Sequence, residues 1–173
     1  SHGVIWRSHF GKILEAYQAW MVSKPTKKVV VLFGSMWGST RQMAQAVARG
    51  AQELPVDVKL IDGATMSDTH IVTEVMDCAG LAVGSATLNM GVLPRMAATL
   101  TYLRGLKPLD KVCFAFGSYG WAAKGCEEVA QYLQQMQMKP VAEPVACRFV
   151  PDAATLEKCR AACRALAEVA LKA

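Results

Sequence analysis

The chain has 173 residues, 53% hydrophobic and 19% charged, with a formal net charge of +5. That length and apolar content suit one well-packed domain, and the longest uncharged run, 78 to 94, is interrupted by Gly, Ser, Thr and Asn, which excludes an apolar membrane-crossing helix of ~20 residues. No dense Lys/Arg run or aromatic-basic interleaving accompanies the positive charge, which argues against nucleic acid as a partner.

The first 26 residues stand apart from the rest. Ile13, Tyr17, Trp20 and Met21 suggest a short amphipathic helix that stops near Ser23-Lys24-Pro25, because proline disfavours helix in the residue before it. Nothing there resembles a secretory signal. Residue 1 is Ser rather than Met, and SHGVIWR opens in mid-pattern. The segment reads as the end of something longer, with a cloning scar at Ser1-His2-Gly3 as the alternative.

From residue 27 strands and helices alternate. KKVVVLF (27 to 33) has no polar alternation, as expected of a parallel strand buried on both faces. The segment 39 to 54 follows as a helix with Met43, Ala44, Val47, Ala48 and Ala51 on one face. Next come a strand at 56 to 62, a helix at 67 to 79 opening on a Ser cap, and a strand at 80 to 84. A helix at 94 to 106 with Pro in its first turn, a strand at 111 to 117, a helix at 124 to 137, a strand at 141 to 150 and a last helix from Asp152 complete the series. Five strands alternating with five helices predict an α/β fold, a three-layer sandwich. The six cysteines include no CxxC pair, and several fall in apolar or helical runs, so they read as buried or semi-buried thiols in a reducing compartment.

Three strands end in the same dipeptide, at Gly34-Ser35, Gly84-Ser85 and Gly117-Ser118. Ligands of open α/β sheets bind beyond the carboxyl ends of the strands, so the loops SMWGST (35 to 40), SATLNMG (85 to 91) and SYGWAAKG (118 to 125) are candidates for one site. The first loop opens a helix and offers backbone N–H groups with the hydroxyls of Ser35, Ser39 and Thr40, a cradle for phosphate. It is neither a Walker A loop nor a GxGxxG fingerprint. In the third loop Tyr119 and Trp121 flank Gly120, presenting flat rings beside bare backbone. A terminal monophosphate attached to a planar heterocycle describes flavin mononucleotide, FMN.

These residues resemble a known family. SMWGST, TLN at 87 to 89 and FGSYGW at 116 to 121 are similar to the flavodoxin-like domain of flavodiiron proteins, and SHGVIWR resembles the end of the metallo-β-lactamase-like domain that precedes it there. The resemblance implies a flavodoxin-like sandwich with a five-stranded parallel sheet of order 2-1-3-4-5 over 27 to 173, preceded in 1 to 26 by a domain remnant and linker helix. It implies FMN contacts from Ser35, Met36, Trp37, Gly38, Ser39 and Thr40, from Thr87, Leu88 and Asn89, and from Ser118, Tyr119, Gly120 and Trp121. Where the family usually has proline after the serine of the second loop, this chain has Ala86. His2 matches a histidine of the family's di-iron site, whose other ligands belong to the preceding domain.

The function so implied is cytoplasmic electron transfer. FMN would take electrons from rubredoxin or a similar redox donor. It would pass them to the di-iron domain of a partner subunit, in a head-to-tail homodimer that reduces dioxygen or nitric oxide. A free-standing flavodoxin or a small FMN-dependent quinone reductase is the alternative, and an acid-clustered receiver domain is disfavoured because the first strand ends in Gly34-Ser35. No side-chain catalytic residue is expected, since the cofactor carries the chemistry. The three loops contain no Asp or Glu, while Arg41, Arg95 and Lys124 stand nearby in sequence. This predicts a flavin whose fully reduced, anionic form is favoured, and a basic rim that attracts an acidic donor.

Overall fold

The computed structural model describes residues 5–22 and 24–173. Helix α1 (Phe10–Met21) precedes the alternating unit of β1 (Thr26–Gly34), α2 (Ser39–Gln52), β2 (Asp57–Asp62), α3 (Asp68–Met76), β3 (Cys78–Leu88), β4 (Gly91–Val92), α4 (Pro94–Leu106), β5 (Val112–Tyr119), α5 (Lys124–Gln135), β6 (Lys139–Pro140), β7 (Val145–Arg148) and α6 (Ala153–Ala170). Among the described residues, no helix is long and apolar enough to cross a membrane.

The sheet runs β2-β1-β3-β5-β6, with β7 also pairing β5. All these pairings are parallel. Strand alternation divides the core in two. Val29, Val31 and Phe33 of β1, with Phe114 and Phe116 of β5, pack against α2 and α6. Val30 and Leu32, with Leu81, Val83 and Ala115, face the other layer, where Ile71, Met96, Leu100 and Val129 of α3, α4 and α5 close the core. This is the expected three-layer sandwich with the expected sense of strand order.

The sheet departs from the expectation at two places. The fifth strand is two short pieces rather than 141 to 150, because Pro140 and Pro144 lack the N–H that a continuous ladder needs. Val141 still donates to Cys113 O at 3.0 Å between them. The third strand is longer than 80 to 84. Ser85 and Ala86, read as loop, pair with Gly117 and Ser118, and Thr87 and Leu88 turn into an antiparallel hairpin with Val92 and Gly91.

Candidate functional site

The first loop is shaped by Gly38. Its φ of 91° lies in the left-handed region, where L side chains are strained, and it ends the turn as the N-cap of α2. Helix α2 has no side-chain cap and no acidic residue in its first turn. Its first intrahelical bond runs from Gln42 N–H to Gly38 O at 3.0 Å, so the N–H groups of residues 39–41 are the unpaired donors of a positive helix end.

The second loop is the tip of the β3–β4 hairpin. Asn89 and Met90 have φ of 48° and 63°, the conformation of a two-residue hairpin turn of matching twist. Two bonds from α5 hold it. Glu128 Oε2 accepts the Val92 N–H at 2.8 Å, and Thr87 Oγ1 accepts the Gly125 N–H at 3.0 Å, which also caps α5. The third loop, after β5, is held from β7, where Phe149 N–H donates to Tyr119 O at 2.8 Å and Arg148 Nε to Gly120 O at 3.0 Å.

The three loops surround one cleft of about 640 Å³ at the carboxyl edge of the sheet, within the size range of small-molecule sites. Met36, Trp37 and Ser39 line it from the first loop, Thr87, Leu88 and Asn89 from the second, and Ser118, Tyr119, Gly120 and Trp121 from the third. Trp37 and Trp121 are 92% and 95% exposed, so neither indole is held in the protein core. Every lining residue is uncharged.

Ser35, Gly38 and Thr40 do not line the cleft. Ser35 Oγ accepts the Gly38 N–H at 3.1 Å, and Thr40 Oγ1 meets Ser118 Oγ at 2.8 Å in a buried pair that ties the first loop to the third. Each arrangement leaves one hydroxyl proton available to another acceptor. The repeated Gly-Ser dipeptides have structural reasons as well. A Cβ on Gly84 would lie 2.1 Å from the Phe116 ring and one on Gly117 2.3 Å from Ser85 O. Ser85 itself is buried, donating to Ala86 O and accepting from Leu93 N–H. His2 lies outside the described residues, and among those described no group of three or more His, Cys, Asp or Glu could hold a metal ion.

Ala86, Met90 and Ala122, which lie within the candidate loops but were not named as contacts, also line the cleft, as do Phe149 and Val150, which lie outside those loops. A signal for Phe149 and Val150 existed. They follow a parallel strand, and all such strands end on the edge where ligands bind. Assigning them to the strand itself hid it. The basic rim is also corrected. Arg41 pairs with Asp62 at 2.7 Å, Arg95 with Asp68 at 2.9 Å and Lys124 with Glu127 at 2.6 Å, so these three cations are each matched by a carboxylate. Arg95 and Thr99, by hydrogen-bonding Asp68, hold its carboxyl below the ordinary value.

The flavodoxin family model matches residues 31–162. The rubredoxin-oxygen oxidoreductase of Megalodesulfovibrio gigas is 36% identical over 174 residues, which cover 99% of this chain and 43% of that protein. The nitric oxide reductase of Moorella thermoacetica is 34% identical over 160 residues, 92% of this chain and 40% of that protein. Among solved structures, the flavodiiron protein of Giardia intestinalis superposes with a TM-score of 0.90 at 29% identity, covering 98% of this chain and 43% of that one. The chain therefore spans less than half the length of these relatives. It belongs to the flavodoxin family, as a flavodoxin-like domain whose relatives are named as oxygen and nitric oxide reductases and flavodiiron proteins.

Proposed function

We propose that the chain is the FMN-binding electron-transfer module of a flavodiiron-type oxidoreductase. The observation that carries this reading is the convergence of the uncapped N-terminus of α2, two exposed indoles and three polar loops on one uncharged cleft. That donor set fits FMN. The N–H groups of residues 39–41 and the hydroxyls of Ser35, Ser39 and Thr40 would hold the phosphate. Thr87, Asn89 and the backbone of 118–121 would bond the ring edges, with Trp37 and Trp121 available to its faces. When bound, FMN supplies one- and two-electron transfer. The chain's own residues bind and orient it, and the apolar Met36, Leu88, Met90 and Phe149 exclude water around it.

The whole-protein role rests on the names of the relatives. Electrons would come from a rubredoxin-type donor and leave to a di-iron site that reduces dioxygen or nitric oxide. That site would belong to the partner subunit of a head-to-tail homodimer, with the segment 1–26 as the join to the di-iron domain and His2 among its ligands. A reducing, cytoplasmic setting suits six free thiols.

The test is an absorption spectrum of the purified, dialysed chain, with identification of any molecule released on denaturation, followed by titration with FMN and with riboflavin. Flavin bands, released FMN and much weaker binding of riboflavin are expected, because riboflavin lacks the phosphate that α2 receives. A colourless chain that takes up no FMN refutes the reading.

A further inference from the structure

Arg148 differs from the other cations around the cleft. It is the last residue of β7, and among the described residues no carboxylate forms an ion pair with it. It is nevertheless held in place. Its Nε donates to Gly120 O at 3.0 Å, and its guanidinium carbon lies 5.0 Å from the centroid of the Phe149 ring, a cation–π distance. Phe149, which lines the cleft, adopts a φ of 61° and donates its N–H to Tyr119 O. Two consecutive residues at the end of β7 thus grip two consecutive carbonyls of the third loop. Arg148 is exposed and does not itself line the cleft, but both residues it touches, Gly120 and Phe149, do. Because a trans peptide is planar, turning the Gly120 carbonyl toward Arg148 turns the Trp121 N–H to the opposite side.

Resting on the flavin reading above, we propose that Arg148 is a positioning residue for the third loop and the fixed cation that biases bound FMN toward its reduced form. Reduction adds negative charge to a ligand whose immediate lining is uncharged, so an unpaired positive charge held nearby stabilises the reduced form more than the oxidised one. A purely structural hold on the loop acts on both forms alike. The two roles therefore separate in the ratio of affinities.

Dissociation constants for oxidised FMN and for dithionite-reduced FMN are measured, the latter anaerobically, on the wild type, Arg148→Gln and Arg148→Lys. The glutamine variant keeps a donor and loses the charge; the lysine variant keeps the charge. R148Q is expected to lose affinity for reduced FMN by on the order of threefold to tenfold more than for oxidised FMN. The difference shrinks in ~1 M salt, where screening is nearly complete. R148K restores the ratio. Equal losses for both forms overturn the charge role and leave Arg148 as a hold on the loop alone, and no loss for either overturns both roles, the flavin reading standing in each case; a wild-type chain that binds neither form sinks the flavin reading and this inference with it.

Discussion

Thr40 and Ser118 are 78 positions apart in the chain, yet their hydroxyls are 2.8 Å apart in a buried pair. Sequence spacing identified both as polar residues of strand-end loops. It gave no sign that they bind each other, because that bond exists only once β1 and β5 lie on either side of β3. The cysteines were easier to read, since an apolar neighbourhood along the chain usually persists in space. All six thiols are free and buried. Burial pushes Cys78 and Cys113 up to about 11, and Cys126, Cys159 and Cys163 up to about 12. Thiolate is the reactive species. At pH 8, iodoacetamide is therefore expected to leave the native chain unlabelled while alkylating all six thiols in denaturant, as read by intact mass. Rapid native labelling of two or more would contradict the packing described.

Among the elements, helices α2 and α4 carry glycines with opposite roles. A Cβ on Gly50 of α2 would lie 2.0 Å from the backbone oxygen of Arg160 in α6, whereas one on Gly105 of α4 meets nothing within 4 Å. Gly50→Ala is expected to destabilise by about 1–3 kcal/mol through forced separation of α2 and α6. Gly105→Ala should stabilise by about 0.5–1 kcal/mol by restricting the unfolded chain. Urea denaturation of both variants checks the contrast, and equal effects would refute it. The amphipathic face of α2 was legible because helical periodicity is a local property. The β3–β4 hairpin was not. Its turn residues are Asn89 and Met90 rather than the Asn-Gly pair that announces such a turn, and Glu128, 36 residues beyond Val92, secures it. The split of the last strand was legible in Pro140 and Pro144, although a continuous strand was expected.

Across the whole molecule, the cleft at the carboxyl edge of the sheet is opposed by an ionic group at the other edge. Lys28, near the start of β1, bonds Glu74 at 3.1 Å and pairs with Asp77, while Lys111 donates to the carbonyls of Met76 and Cys78. Burial lowers the Lys28 ammonium, but Asp77 and Glu74 more than offset this and leave it above 10.5; burial dominates for Lys111 and lowers it. A raised lysine contributes stability that is complete below its unfolded value and is lost as pH rises through its folded one. Glu74→Gln is expected to destabilise by about 1–3 kcal/mol near neutral pH. The gap from wild type should narrow above pH ~10.4 as Lys28 loses its charge. Its affinity for FMN should stay unchanged, because the group is remote from the cleft. Denaturation at pH 7 and pH 11, with an FMN titration, tests all three. Sequence by itself determined the alternating architecture and the three strand ends that converge, because periodicity and turn composition are properties of neighbouring residues. Only the tertiary structure decided which hydroxyls bind each other, which cations are neutralised and that Arg148 meets no carboxylate among the described residues, because those outcomes depend on distances between segments that the chain order does not contain.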